Sequence, residues 1–273
     1  MPSQHDKAVA FRALHERDGA FVIPNPWDAG SAKLLAGLGF EALATTSLGV
    51  ANMLGNKGVS MAEVLENCRV IAEATPLPVN ADLENGGADA PEEAARIIAQ
   101  AAEAGIVGGS IEDYSGDRDK PIYDFELAVE RVAATVEAAR ALPFPFTLTA
   151  RAENYLHGRK DLDDTIRRLQ AFEAAGADVL YAPGLYDLET IRTVCGAVNK
   201  PFNLVMGFAD QSLTLDQLAE AGVKRISVGG ALSRIALNAV LGVAQDMKDG
   251  RFTGLGQAIP MPTLYETWGK SGG

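Results

Sequence analysis

One phrase recurs along this chain and constrains its fold more than any other feature: a helix-like run ends in glycine and a short apolar segment follows at once. It occurs at residues 34–39 before 40–45, at 101–105 before 106–111, at 172–176 before 177–181 and at 218–222 before 223–228. Glycine just past a last helical turn takes the left-handed backbone without a Cβ clash, so Gly39, Gly105, Gly176 and Gly222 each mark a helix giving way to a strand. Further strand candidates lie at 20–23, 78–83, 146–150 and 201–205, which makes eight. The segments 61–74, 91–104, 125–141, 161–175 and 187–198 carry apolar residues at helical spacing, and Pro91 suits a first helical turn.

Alternation of strand and helix implies parallel pairing through right-handed crossovers. Eight such units in 273 residues predict an α/β fold of the closed (β/α)8 TIM-barrel type. An open dinucleotide-binding sheet would want Gly-x-Gly-x-x-Gly after its first strand; this chain has Pro24-Asn25-Pro26-Trp27-Asp28 there. No linker-like stretch divides the sequence, so residues 1–273 read as one barrel domain, with 231–273 as the eighth helix and a C-terminal helical extension. In that extension Ile259, Met261, Leu264, Tyr265 and Trp268 need a surface to cover, and Pro260 and Pro262 redirect the chain. Packing of this segment on a neighbouring subunit, with Trp268 or Leu264 buried between chains, is expected; the alternative is that it folds back over its own barrel.

The chain is 47% hydrophobic, enough for a large core, and carries a formal charge of −12, which repels phosphate backbones and anionic lipid. Nucleic-acid and membrane partners are argued against, and a small anionic substrate would need local positive charge. No apolar run reaches membrane-spanning length, and residues 1–17 are polar and mixed in charge rather than signal-like. Cys68 and Cys195 stand far apart without metal-ligand spacing, so both read as buried structural thiols in a cytoplasmic protein.

In a barrel of this type the chemistry gathers at the C-terminal ends of the strands. Those ends carry Asp82 and Glu84 on the third strand, Glu112 and Asp113 on the fourth, and Arg151, Glu153 and Asn154 on the fifth. Asp82 and Glu84 are two apart, so in extended geometry they point the same way. Asp82, Glu84 and Glu112 would repel one another unless a cation intervened, and Mg²⁺, with Mn²⁺ as the alternative, suits carboxylate oxygens with several waters retained. The bland reading is that these acids cap helices or meet surface bases. Arg151 is the one basic residue closing an otherwise apolar strand, and its planar fork fits a carboxylate or phosphonate. An internal ion pair with Glu112 or Glu153 is compatible with that role.

The segment Val79-Asn80-Ala81-Asp82-Leu83-Glu84-Asn85-Gly86 resembles the Asp-x-Asp-x-Gly metal strand of the isocitrate lyase / phosphoenolpyruvate mutase superfamily. Ser110-Ile111-Glu112-Asp113 is similar to its Glu-Asp motif, Thr149-Ala150-Arg151 to its Ala-Arg motif, and the segment from Asn25 to Ala32 to its first loop and helix. The likeness runs in order from about residue 21 to 241. It implies that Asp82, Glu84 and Glu112 hold Mg²⁺ directly or through water and that Arg151 binds a substrate carboxylate. It also implies that Thr45, Thr46 and Ser47 bind substrate through backbone N–H and hydroxyl groups, that Asn203 contacts a carboxylate, and that the protein assembles as a homotetramer. The implied activity is Mg²⁺-dependent cleavage of a C–C bond in a small α-oxo or α-hydroxy carboxylate through a metal-stabilised enolate, by a lyase or decarboxylase.

Departures from the family pattern narrow this. The lyases' Lys-Lys-Cys-Gly-His loop is replaced by Tyr114-Ser115-Gly116-Asp117-Arg118-Asp119-Lys120, and Gly58 stands where the mutase has an Asp. Tyr114, placed beside Glu112 and Arg151 as a catalytic residue, is joined by Lys120, Tyr181 and His157 as candidate proton donors; for His157 a solvated loop position is the plainer expectation. A phosphonate C–P enzyme (mutase, phosphonopyruvate hydrolase or carboxyphosphonoenolpyruvate type) is the enzymatic alternative. A non-catalytic metabolite-binding barrel is the alternative of another class.

Overall fold

The computed structural model describes residues 1–270. In chain order the elements are α1 (Gln4–Glu16), β1 (Phe21–Val22), α2 (Ala29–Gly37), β2 (Leu43–Ala44), α3 (Ser47–Leu54), α4 (Met61–Ala74), β3 (Val79–Asp82) and α5 (Pro91–Glu103). Then follow β4 (Gly108–Glu112), α6 (Phe125–Arg140), β5 (Thr147–Arg151), α7 (Leu162–Ala174), β6 (Val179–Tyr181), α8 (Leu188–Gly196) and β7 (Phe202–Val205). The last described elements are α9 (Leu215–Glu220), β8 (Val223–Ser227), α10 (Ala231–Lys248) and α11 (Met261–Lys270).

The eight strands form one parallel sheet in the order β1-β8-β7-β6-β5-β4-β3-β2. The backbone N–H of Ala44 donates to the carbonyl of Pro24 at 3.1 Å, joining the ends of β2 and β1 and completing the ring. This is the (β/α)8 barrel that the repeated phrase predicts. Gly39, Gly105, Gly176 and Gly222 all have φ between +88° and +103°, the left-handed turn that feeds each following strand. The principal core lies between the strands and the surrounding helices, where residues such as Leu148, Leu180 and Leu204 meet Ile98, Leu169 and Ile191.

Residues 4–16, unassigned from sequence, form α1, held by a capping box in which Ser3 and Asp6 satisfy each other's backbone N–H groups. Ala8, Phe11 and Leu14 of α1 pack with Phe21, Ile23, Ala42, Ala44 and Val107 and close the N-terminal floor of the barrel. Of residues 45–49, expected as a substrate-binding loop, 47–49 are the first turn of helix α3, because Thr46 caps it through the N–H of Gly49 at 3.3 Å.

The C-terminal region divides differently from the expectation. The helix α11 lies on the chain's own α2: Trp268 Nε1 donates to Gly30 O at 3.1 Å, and a Cβ on Gly37 would stand 2.1 Å from Thr267 O. Trp268 and Leu264 are half-buried there, within the chain. Ile259, Met261 and Tyr265 of the tail stay exposed, and a second exposed apolar surface lies on α10, where Ser233 alone is buried and Ile235, Val240 and Leu241 are 64%, 65% and 69% exposed.

Candidate active site

The strand registers string the polar residues into one lateral row. Glu112 on β4 pairs with Arg151 on β5, Arg151 with Tyr181 on β6, Tyr181 with Asn203 on β7, and Asn203 with Arg225 on β8. Barrel strands tilt, so such a row slants along the axis as it passes from strand to strand. Glu112 is the last residue of β4 and sits at the rim, whereas Arg225 is mid-strand and reaches His15 of the floor helix. The site is therefore a slot with an acidic rim and a basic floor.

At the rim, Arg151 is the hub. Its guanidinium donates to Asp82 Oδ1 at 2.8 Å, meets Glu112 Oε2 at 3.0 Å and grips Glu153 Oε1 from NH2 at 2.7 Å and from Nε at 2.8 Å. Its underside lies over the ring of Tyr181 at 4.9 Å. Burial alone would lower the Arg151 pKa; Glu112, Glu153 and Asp82 outweigh it and raise the value well above its usual level. Both oxygens of Asp82 are engaged, since Oδ2 accepts from the N–H and hydroxyl of Ser47 at 3.0 and 2.9 Å. The Asp82 N–H donates to Thr45 Oγ1 at 3.0 Å, so of the three hydroxyl residues at 45–47 only Ser47 points its hydroxyl at the acidic cluster, while those of Thr45 and Thr46 organise backbone.

Glu84 reaches the site by a route that strand periodicity does not describe. The strand β3 ends at Asp82, and Glu84 has φ +48°, the one non-glycine residue in the left-handed region among those described. Such a conformation costs on the order of 1–3 kcal/mol and is retained where surrounding structure imposes it. Burial foremost, then Asp82, raises the Glu84 pKa. Burial likewise pushes Glu112 well above the carboxylate range; Arg151 opposes this, and Glu153, Asp82 and Glu84 add to it. Four carboxylates thus face one guanidinium.

Around this cluster the donor candidates separate. Tyr114 stacks on His157 with centroids 3.9 Å apart, and together with Glu84, Glu112 and Arg151 they line a recess of about 270 Å³. His157 is 24% exposed with Nε2 at 3.7 Å from Glu153, so it belongs to the rim rather than to a solvated loop. Lys120 is exposed and paired with Asp124 at 2.7 Å, away from the site. Tyr181 lines the neighbouring cavity of about 220 Å³, with Ser47, Asp82, Arg151, Asn203 and Arg225. Behind the rim Asp113 is braced by Arg168 at 3.0 Å and by the N–H of Glu153 at 2.8 Å; burial lifts its pKa to about 6 against Arg168.

The floor joins the expected Asn203 to Arg225 and Ser227, which the sequence reading passed over. Asn203, expected at a carboxylate, accepts from Arg225 Nε at 2.8 Å and donates to Ser227 Oγ at 3.2 Å. Asn25 ties three strand ends together, donating to Thr45 O at 3.0 Å and accepting from the N–H groups of Val228 and Gly229, each at 2.9 Å. The available signal for Arg225 was its place between Val223 and Ser227 at the inward-facing period of two.

Fold and rim together define a class: a TIM-barrel enzyme with an Asp/Glu/Arg constellation at its strand ends, of the kind that breaks a bond next to a carboxylate. The phosphoenolpyruvate phosphomutase family model matches residues 11–248, and the chain belongs to that family. A solved protein from Burkholderia cenocepacia J2315, described only as a candidate lyase or mutase, superposes with a TM-score of 0.94 at 58% identity, covering 96% of this chain and 95% of that one. An uncharacterised Mycobacterium tuberculosis protein is 31% identical across 89% of this chain and 90% of its own length. The oxaloacetate decarboxylase of Ectopseudomonas mendocina is 27% identical across 98% and 95%. The carbon–carbon lyase or decarboxylase reading made from the motifs stands with these relatives.

Proposed function

We propose that the protein cleaves a C–C bond of a short α-oxo or α-hydroxy carboxylate, with Arg151 as the carboxylate clamp. The observation that carries this is Arg151 itself, a nearly buried guanidinium held at the strand ends by Asp82, Glu112 and Glu153. Fixed in that way, its charge and its remaining N–H capacity are pre-organised toward a substrate carboxylate at little entropic cost.

A divalent cation fits the rim on charge. Four carboxylates to one guanidinium leave an acidic excess, which adds to burial, the larger cause, in raising the pKa values of Glu84 and Glu112. Among the described residues no three His, Cys, Asp or Glu side chains form a finished cage; the all-oxygen donor set of the rim is what suits Mg²⁺, a cation that keeps much of its own water. Asp82, Glu84 and Glu112 would hold it, and when bound it would supply Lewis acidity toward the substrate oxygens. As the bond breaks, its electron pair spreads into the oxo group and the carboxylate, and Arg151 faces that charge. Burial keeps the Tyr181 phenol protonated, with a pKa above its usual value, so Tyr181 Oη holds a proton for the carbon left behind. Tyr114, on the other side of the rim, shields the recess with His157.

Two coarser properties go with this reading. The exposed apolar face of α10 suits another copy of the chain, in a homo-oligomer and specifically a tetramer. No described helix is long and apolar enough to cross a membrane, and the two free thiols suit a reducing cytoplasm. The deciding experiment incubates the protein with Mg²⁺ and a panel of short oxo- and hydroxy-diacids and phosphonates, following products by proton and phosphorus NMR. C–C cleavage products that disappear with EDTA and form far more slowly in Arg151→Lys are expected. Inorganic phosphate release or phosphorus migration would favour the C–P alternative; no turnover of any compound would favour a binding protein.

A further inference from the structure

Arg225 is 3% exposed and has no carboxylate within ion-pair distance among the described residues. Its partners are all neutral: Asn203 Oδ1 at 2.8 Å, Thr149 Oγ1 at 2.9 Å and His15 Nε2 at 3.3 Å. His15 is an acceptor here, because its Nδ1 is engaged with Phe11 O at 2.8 Å and burial, aided by Arg225, depresses its pKa to about 3. Those bonds occupy three of the five N–H groups that a guanidinium carries. Burial pulls the Arg225 pKa down to about 9, yet it remains a cation at neutral pH. A buried charge without a counter-charge is rare because its desolvation is uncompensated. Arg225 lines the same cavity as Asp82, Arg151, Ser47, Tyr181 and Ser227, and its mid-strand position and contact with His15 of α1 set it on the floor side, below the strand ends that carry the acids.

From this placement we infer that Arg225, with Asn203 and Ser227, is a second anion-binding site at the barrel floor that receives the distal carboxylate of a diacid substrate. The inference rests on the reading of Arg151 as the clamp for the first carboxylate. The slot then orients its ligand by charge: the oxo-acid end goes to the rim, where acids await a cation, and the distal carboxylate goes to the floor, where the unmatched guanidinium supplies its counter-charge. A purely structural Arg225, serving to tether α1 and β7, would need no cavity wall and would be indifferent to the ligand's far end. A substrate with a neutral far end would leave that charge uncompensated, so the site discriminates diacids from monoacids of the same length.

The test compares calorimetric affinities, in the presence of Mg²⁺, for a 2-oxo diacid, the same compound with its distal carboxylate converted to the amide, and a 2-oxo monoacid. The wild-type protein should bind the diacid at least tenfold more tightly than the amide. Arg225→Met should abolish that preference while leaving monoacid affinity within about twofold, and Arg225→Lys should restore part of it. Equal wild-type affinity for diacid and amide overturns the inference and leaves the Arg151 reading standing, and needs no variant to fold. So does an Arg225→Met protein that keeps the preference. Wild-type protein that binds none of the three overturns the Arg151 reading and this one with it.

Discussion

Arg151 bears the rim's electrostatics almost alone, so its substitution separates charge from geometry. Arg151→Lys keeps a cation among Asp82, Glu112 and Glu153 but replaces a planar fork by a point charge. A folded protein with kcat/KM lowered on the order of a hundredfold is expected, the loss of about 2.7 kcal/mol of transition-state stabilisation; unchanged steady-state kinetics would return Arg151 to a structural role. At the floor, His15 gives stability a pH signature. Its pKa is about 3 in the fold against 6.5 for the free side chain, with burial first and then Arg225 and Lys224 as causes. Below pH 6.5 the unfolded chain takes up a proton that the folded chain refuses. The contribution is intact above pH 6.5 and is lost as pH falls toward 3, at about 1.4 kcal/mol per pH unit. Thermal melts across that range should show a shallower acid slope for His15→Gln than for wild type, and superimposable slopes would contradict the assignment.

Two connections carry consequences at the level of elements. The turn after β3 forces Glu84 to φ +48° so that its carboxylate can join Asp82 and Glu112, a local cost accepted at the site. Glu84→Gly should raise stability by about 1 kcal/mol in chemical denaturation while weakening the Mg²⁺-dependent shift in Tm; a stability loss would show that Glu84 packs more than it strains. The close approach of α11 to α2 depends on Gly37, which has no side chain to meet Thr267 O. Gly37→Ala should lower stability by about 1–3 kcal/mol and expose residues 261–270 to protease, as limited proteolysis with mass spectrometry would reveal.

At the scale of the whole molecule, α10 is the unfinished surface. Ile235, Leu237, Val240 and Leu241 lie on a helix that touches the chain mainly at α3 and the turn at Thr253–Gln257. Sedimentation velocity should give an oligomer for the wild type and a smaller species for Val240→Glu combined with Leu241→Glu. A monomeric wild-type mass at micromolar concentration would refute self-association through this face.

Local signals settled what local physics controls. The left-handed glycines after four of the helices and apolar runs of strand length are readable from neighbouring residues, so the strand–helix alternation and the closed parallel barrel followed from sequence, while α1 and α3 did not. The motifs at Asp82, Glu112 and Arg151 sit at strand ends, so their position was equally readable. What depended on distant residues was not. Glu84 was named from sequence but joins the site through a left-handed turn rather than the extended geometry expected, and His157, named as a candidate, is brought to the rim by stacking on Tyr114 from another loop. The tail lies on its own α2 because Gly37, more than two hundred residues upstream, leaves room for Thr267. Arg225 gives the plainest case: one charged residue inside a short strand says nothing of its environment. Only the tilt of the barrel sets it opposite the acidic rim with neutral neighbours, because charge compensation is a property of three-dimensional distance and not of sequence separation.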